Sequence, residues 1–305
     1  MKTISANTNA QPSRSGQRGV TLIELLVAMV LGLVVIGVVL SNYLTSSIGK
    51  NSSSALQQMT EDATVALNVI RKNISTAGQS DAIGVVAGGF QRNPIGLRIF
   101  GCETGFVNPL LPVDNLVCDA AGSEAIAVAY QADAVNSATL ADNVTPRDCV
   151  GNGIPPTLPG AGAAYFVASP KLFINNNELM CQGNGAGAQP LVSNISRLWI
   201  RYGVAAPLPA VPDTPQTYPA PPVKFISAAN VTAAEWPRVM AVRVCVEVQS
   251  TDEVLDAATP YFGCNAIEAA AADFEPKAVN PALIVPADRR MHRAFSTTVM
   301  LQNIR

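Results

Sequence analysis

The chain has 305 residues, 49% of them hydrophobic and only 14% charged, with a formal net charge of −2. It is too apolar to be disordered, and it is long enough for one or two domains with a substantial core. The weakly acidic balance excludes a general attraction to nucleic acid and leaves only a local basic patch as a route to it.

Residues 1–19 are polar and end Gly16-Gln17-Arg18-Gly19. They hold three cations, Lys2, Arg14 and Arg18, and no acid, so their removal takes the formal charge from −2 to −5. Residues 20–40 follow as an apolar run whose only charge is Glu24. At about 1.5 Å per residue that run is long enough for a bilayer core of ~30 Å. The preceding cations keep the N-terminus cytoplasmic by the positive-inside rule. A secretory signal peptide would have a shorter apolar core and a small-residue cleavage site after it. A plain signal anchor leaves Glu24 unexplained, because a carboxylate in a membrane span costs about 2–4 kcal/mol and usually has a partner.

The helix is expected to continue. Leu56, Met59, Ala63, Ala66, Leu67, Ile70, Ile74 and Ala77 recur in steps of three and four, while Glu61, Asp62, Arg71 and Lys72 lie off that stripe. No proline interrupts 20–78, and Gly78 suits a C-terminal cap. A continuous helix over that range would be about 88 Å long. Gly32, Gly37 and Gly49 are its weak points.

After Gly78 the texture changes to short apolar stretches among Gly, Pro and Asn. Strands are predicted at 96–100, 124–131, 164–168, 171–174, 178–181, 197–204, 239–250 and 291–303, with Asn175-Asn176-Asn177 as a hairpin turn. In 239–250, Val242, Val244, Val246 and Val248 alternate with Ala241, Arg243, Cys245 and Glu247, the pattern of a half-buried strand. Phe295, Thr297, Val299 and Leu301 share one face of the last strand. Loops are predicted at 143–162, 183–189, 205–222 and 257–286, the third of them rich in proline. The fold class is α+β: a long N-terminal helix, transmembrane and then amphipathic, on an antiparallel sheet with long loops.

Cys102, Cys118, Cys149, Cys181, Cys245 and Cys264 show no CxxC spacing. An even set after a membrane segment reads as disulfides in an oxidising compartment. Six cysteines allow fifteen pairings; neighbour pairing, 102–118, 149–181 and 245–264, is the expectation, with free buried thiols as the alternative. No P-loop, GxSxG, HExxH or calcium loop occurs. The lone His292 beside Arg289, Arg290 and Arg293 reads as a surface or interface residue rather than a catalytic one. Trp199 and Trp236 read as core or interface anchors. No enzyme activity, cofactor or metal site is expected.

Gly19 followed by Val-Thr-Leu-Ile-Glu-Leu-Leu-Val-Ala resembles the leader-peptidase site of type IV pilins and type II secretion pseudopilins. The resemblance implies removal of the leader 1–19, methylation of the new N-terminus at Val20, and a role for Glu24 in pairing with a neighbouring subunit's ammonium during filament assembly. Val20 departs from the family's usual phenylalanine. The remaining chain then divides into the helix 20–78, transmembrane over 20–40, and a β-rich head over 79–305. Segments 196–203, 236–244 and 293–303, together with the Ala-Leu-x-x-Ile-Arg pattern in 63–78, resemble PilW-type minor pilins.

That resemblance implies an inner-membrane protein whose head lies in the periplasm and which then enters a type IV pilus near its tip, supporting twitching, adhesion or DNA uptake. The implied partners are the major pilin, other minor pilins, a tip-associated adhesin, the prepilin peptidase, the inner-membrane assembly platform and, before assembly, membrane lipid. Nucleic acid is disfavoured. The alternatives are a J-type minor pseudopilin of a type II secretion system and a DNA-receptor pilin of a competence system.

Overall fold

The structure, a computed structural model, describes residues 19–86, 89–158, 163–185, 187–207, 221–265 and 283–303. Residues 1–18 of the leader expected at 1–19 lie outside the described residues, as do 159–162, 186, 208–220 and 266–282 of the predicted loops. The chain forms two compact units, Met1–Lys50 and Asn51–Arg305, and helix α1 (Leu22–Thr76) contributes to both.

α1 begins at Leu22 because Thr21 caps it. The Thr21 amide and hydroxyl both donate to Glu24 Oε2 at 2.9 Å, and the Glu24 amide donates back to the Thr21 hydroxyl at 3.3 Å. This reciprocal box satisfies donors that the first turn leaves open. The helix stays regular through Gly32, Gly37 and Gly49. It ends where Gly78 takes φ +83° and its amide leaves the helix to donate to the Ala129 carbonyl at 2.9 Å.

Within the second unit the strands are β1 (Ala82–Val86), β2 (Gly89–Arg92), β3 (Ile99–Cys102), β4 (Ala125–Val128), β5 (Tyr130–Ala132), β6 (Pro156–Thr157) and β7 (Tyr165–Ala168). They continue as β8 (Lys171–Asn175), β9 (Glu178–Gln182), β10 (Ala188–Ser193), β11 (Ile195–Ala205), β12 (Pro222–Ile226), β13 (Val239–Glu253) and β14 (Arg290–Met300). All pairings between them are antiparallel. A five-stranded sheet runs β10-β9-β8-β4-β3 and a four-stranded sheet β12-β11-β13-β14; β5-β7-β6 and the β1-β2 hairpin are smaller. Asn176 and Asn177 turn β8 into β9 with φ 51° and 61°.

One core joins the helix to both large sheets. Met59, Ala63, Ala66, Ile70, Ile74 and Ala77 are all at most 1% exposed. They pack with Ile126, Leu172 and Leu179 of the first sheet and with Leu198, Tyr202, Val244 and Val246 of the second. Small alanines on the helix stripe let the backbone approach the sheets. Gln58 donates to Thr251 at 3.0 Å, Asn194 to Asp62 at 2.9 Å, and Asn303 to the Ser75 carbonyl at 3.2 Å, fixing this half of the helix at its rim.

Some expected strands differ from those observed. The stretch 124–131 breaks at Ala129 into β4 and β5, because the Ala129 amide turns to the Arg98 carbonyl at 2.9 Å and its carbonyl accepts from Gly78. The loop expected at 183–189 already enters β10 at Ala188, and β12 starts at Pro222 where a loop was expected. Pro222 is tolerated because β12 is an edge strand. β13 is not half-buried. Cys245 and Glu247 are as inaccessible as Val244 and Val246, because a covalently tied loop covers that face.

Candidate functional site

Two regions of the chain have features beyond ordinary packing: the exposed start of α1 and the braced surface of the head. The first follows directly from composition. Leu22–Tyr43 is a 22-residue apolar helix of mean hydropathy 2.9 with none of its strongest apolar window buried. Val20 is 71% and Leu22 81% exposed, and the large apolar side chains from Ile23 to Leu40 are exposed on every side. This length and composition suit a membrane span. Glu24 is its only charge, and its Oε2 is held by Thr21 within the span's first turn. Gly19 and Val20 precede the cap in non-helical conformation.

The sequence reading gave Glu24 a role between subunits and overlooked its local one. The signal was present, because Thr-x-x-Glu ahead of an apolar run is the pattern of a capping box.

The second region is the head's covalent bracing. Disulfides join Cys102–Cys118, Cys149–Cys181 and Cys245–Cys264. In each pair at least one sulfur is anchored in the core: Cys102, Cys181, Cys245 and Cys264 are buried. Each bridge ties a loop to a strand: β3 to the end of the 103–118 loop, β9 to the loop at 149, and β13 to the loop ahead of residue 265.

The Cys245–Cys264 loop has a second fastening. Glu247, only 3% exposed, accepts the Cys264 amide at 2.8 Å and the Tyr261 hydroxyl at 2.9 Å. Burial and the nearby Glu247 charge push the Tyr261 phenol above its usual range. The Tyr261 ring stacks on His292, with centroids 5.0 Å apart. His292 Nε2 lies 2.8 Å from Asp288 Oδ1. The His292 side chain is 8% exposed and fastens this loop, where the sequence suggested a surface or interface residue. The arginines beside it are also engaged. Arg289 pairs with Glu253 at 2.7 Å, and Arg290 donates to the Ser250 carbonyl at 2.7 Å. Trp199 and Trp236 are core residues, 3% and 5% exposed.

Between the two large sheets lies Glu124. One oxygen accepts the Ile200 amide at 2.5 Å and the other faces the Arg201 guanidinium at 3.4 Å. Burial outweighs this pairing and pushes the Glu124 carboxyl up to about 7. Lys171, buried on β8, is pushed down to about 8 by the same cause. Neither residue was singled out from sequence, since their burial depends on how the sheets meet.

An exposed apolar helix that opens with a capping box around Glu24, followed by a disulfide-braced α+β head, is the architecture of pilin-like proteins, and the helix suits a membrane anchor. Residues 14–40 match the family model described as the prokaryotic N-terminal methylation motif. Residues 160–303 match the model of type IV pilus-assembly protein W. Together these matches support a PilW-type type IV minor pilin. No curated protein matches it. Among solved structures it is similar to a type IV-like pilin from Thermus thermophilus, at 11% identity over 80% of this chain and 96% of that one, with a TM-score of 0.40.

Proposed function

We propose that this minor pilin acts structurally, as a low-copy subunit that primes assembly of type IV pili and is retained near the tip. A prepilin peptidase cuts between Gly19 and Val20 and methylates Val20. The span beginning at Val20 stores the subunit in the inner membrane with its head in the periplasm. On incorporation, contacts with the helices of the major pilin and other minor pilins replace lipid. Glu24 meets the terminal ammonium of a neighbour, which offsets the cost of placing a carboxylate in an apolar setting. The assembly platform and a tip-associated adhesin are the further partners. Support for motility, adhesion or DNA uptake follows from the pilus itself.

The observation that carries this reading is the helix start: a span with no internal burial begins at Leu22, three residues after Gly19, and carries one carboxylate in its first turn. The match to a pilus-assembly family favours a pilus over a secretion pseudopilus.

Mass spectrometry of sheared pili tests the proposal. A peptide beginning at N-methyl-Val20 in the pilus fraction is the expected result. A processed form confined to the inner membrane would move the assignment to a secretion pseudopilin. An intact leader in mature filaments would overturn it. Glu24→Ala should still be processed but should be depleted from pili, and undiminished incorporation would remove the assembly role of Glu24.

A further inference from the structure

A cavity of about 240 Å³ opens at one end of the five-stranded sheet. Ala125 of β4 and Phe173 of β8, paired directly across the strands, help to line it, and the small alanine leaves space above the sheet. The walls are the two arms of the Cys102–Cys118 loop and the residues after it. Phe106 bridges Cys118, and the Asp119 amide donates to the Gly105 carbonyl at 3.0 Å. The Thr104 hydroxyl donates to the Asp119 carbonyl, and the Ser123 hydroxyl to the Ile174 carbonyl at 2.7 Å. With the disulfide, these bonds make the opening preformed rather than induced.

The lining has a definite chemical character. Thr104 and Ser123 have given their hydroxyl protons to backbone carbonyls, so they present lone pairs. Asp119 uses Oδ1 for the Ala120 amide at 2.6 Å, and Oδ2 has no partner among the described residues. The exposed side-chain amide of Asn175 likewise has none there. The half-buried rings of Phe106 and Phe173 supply apolar surface. Among the described residues no lysine or arginine lines the cavity, so an anion would meet Asp119 without a counter-charge.

We propose that this cavity binds one neutral saccharide ring. A pyranose has apolar C–H faces that pack against phenyl rings, and hydroxyls around its edge that need acceptors above all. The volume lies below the ~300–1,000 Å³ of sites for larger ligands, which limits the occupant to about one ring with its substituents. An alkylammonium fits less well, because a single exposed carboxylate contributes little to binding a cation and the Asn175 amide would be left unused.

The test uses the full chain in a polyoxyethylene detergent, which carries no sugar. Saturation-transfer NMR is recorded with the methyl glycosides of glucose, galactose, mannose and N-acetylglucosamine, and with tetramethylammonium as the competing chemistry. At least one glycoside should receive saturation. Asn175→Ala should weaken its binding about tenfold, and Ala121→Trp, at the exposed mouth, should abolish it. Both positions are exposed, and an unchanged thermal melt certifies that the variants are folded. Transfer to none of the glycosides, transfer that survives Ala121→Trp, or binding of the ammonium probe in their place would overturn the proposal.

Discussion

The two halves of α1 have the same backbone conformation and opposite surroundings. Leu22–Tyr43 is apolar on all sides and has none of its strongest apolar window buried, whereas from Met59 onward every third or fourth side chain is buried to 1% or less. The first half therefore relies on lipid or on other subunits to cover it, and the second half is covered by the chain's own sheets. The helix is a single element whose stability has an external source at one end and an internal source at the other. The same substitution should therefore have different consequences in the two halves.

The largest contrast is between Ile70→Ala and Leu33→Ala. Ile70 is fully buried between the two sheets, so truncation should destabilise the head by about 2–5 kcal/mol. Leu33 is 70% exposed, and its truncation should leave head unfolding unchanged. Denaturant melts of the full chain in detergent, followed by tryptophan fluorescence, read both, since Trp199 and Trp236 are buried in the head. Equal effects at the two positions would break the comparison.

Loop anchoring within the head comes next. Replacing Cys245 and Cys264 together by serine frees a closure of 19 residues, which in the chain-entropy account is worth about 3 kcal/mol. Glu247 and Tyr261 still hold that loop by hydrogen bonds, so the variant should fold but melt earlier. The same pair of serines should not change how residues 22–43 partition into detergent. A shift in that partitioning would mean that the two halves are coupled.

These features were unevenly legible from sequence. The helix stripe could be read almost residue by residue, because a 3.6-residue period survives in a linear pattern and Gly78 marks its end. The valine alternation in β13 marked the inner face correctly. It failed on the outer face, because the cover over Cys245 and Glu247 arrives from a segment almost twenty residues away. β12 was missed because Pro222 argues against a strand unless its edge position is known. Glu124 looked like an ordinary charge, since only the meeting of β4 with β11 removes it from water. Of the candidate site, the exposed span and Glu24 are visible in composition alone, whereas the fastening by Glu247, Tyr261 and His292 exists only in three dimensions.

Glu124 gives a pH test confined to the head. Its carboxyl is raised from 4.5 to about 7 in the folded state, so folding favours its protonated form. The stability linked to this group is fully present below pH 4.5 and is lost as pH rises through about 7. A shift of this size corresponds to at most about 3 kcal/mol. Glu124→Gln, which cannot ionise, should therefore show a flatter melting temperature between pH 4.5 and 7 than the parent chain. The difference between the two should be greatest at the upper end of that range. Identical pH profiles would mean that Arg201 and the Ile200 amide already compensate for burial.

The smallest expected effect is at the start of the helix, and it separates local from intermolecular roles for Glu24. Thr21→Val removes the hydroxyl that both accepts from the Glu24 amide and donates to its carboxylate. Losing such a cap costs about 1 kcal/mol and should fray only the first turn. Amide exchange at residues 22–25 should accelerate in Thr21→Val and recover in Thr21→Ser, with no change in head melting. If Glu24 serves only the cap, Thr21→Val and Glu24→Ala should reduce pilus incorporation equally. If Glu24 also meets a neighbouring subunit, Glu24→Ala should be the more severe, because it removes the charge itself whereas Thr21→Val removes only the residue that orients it.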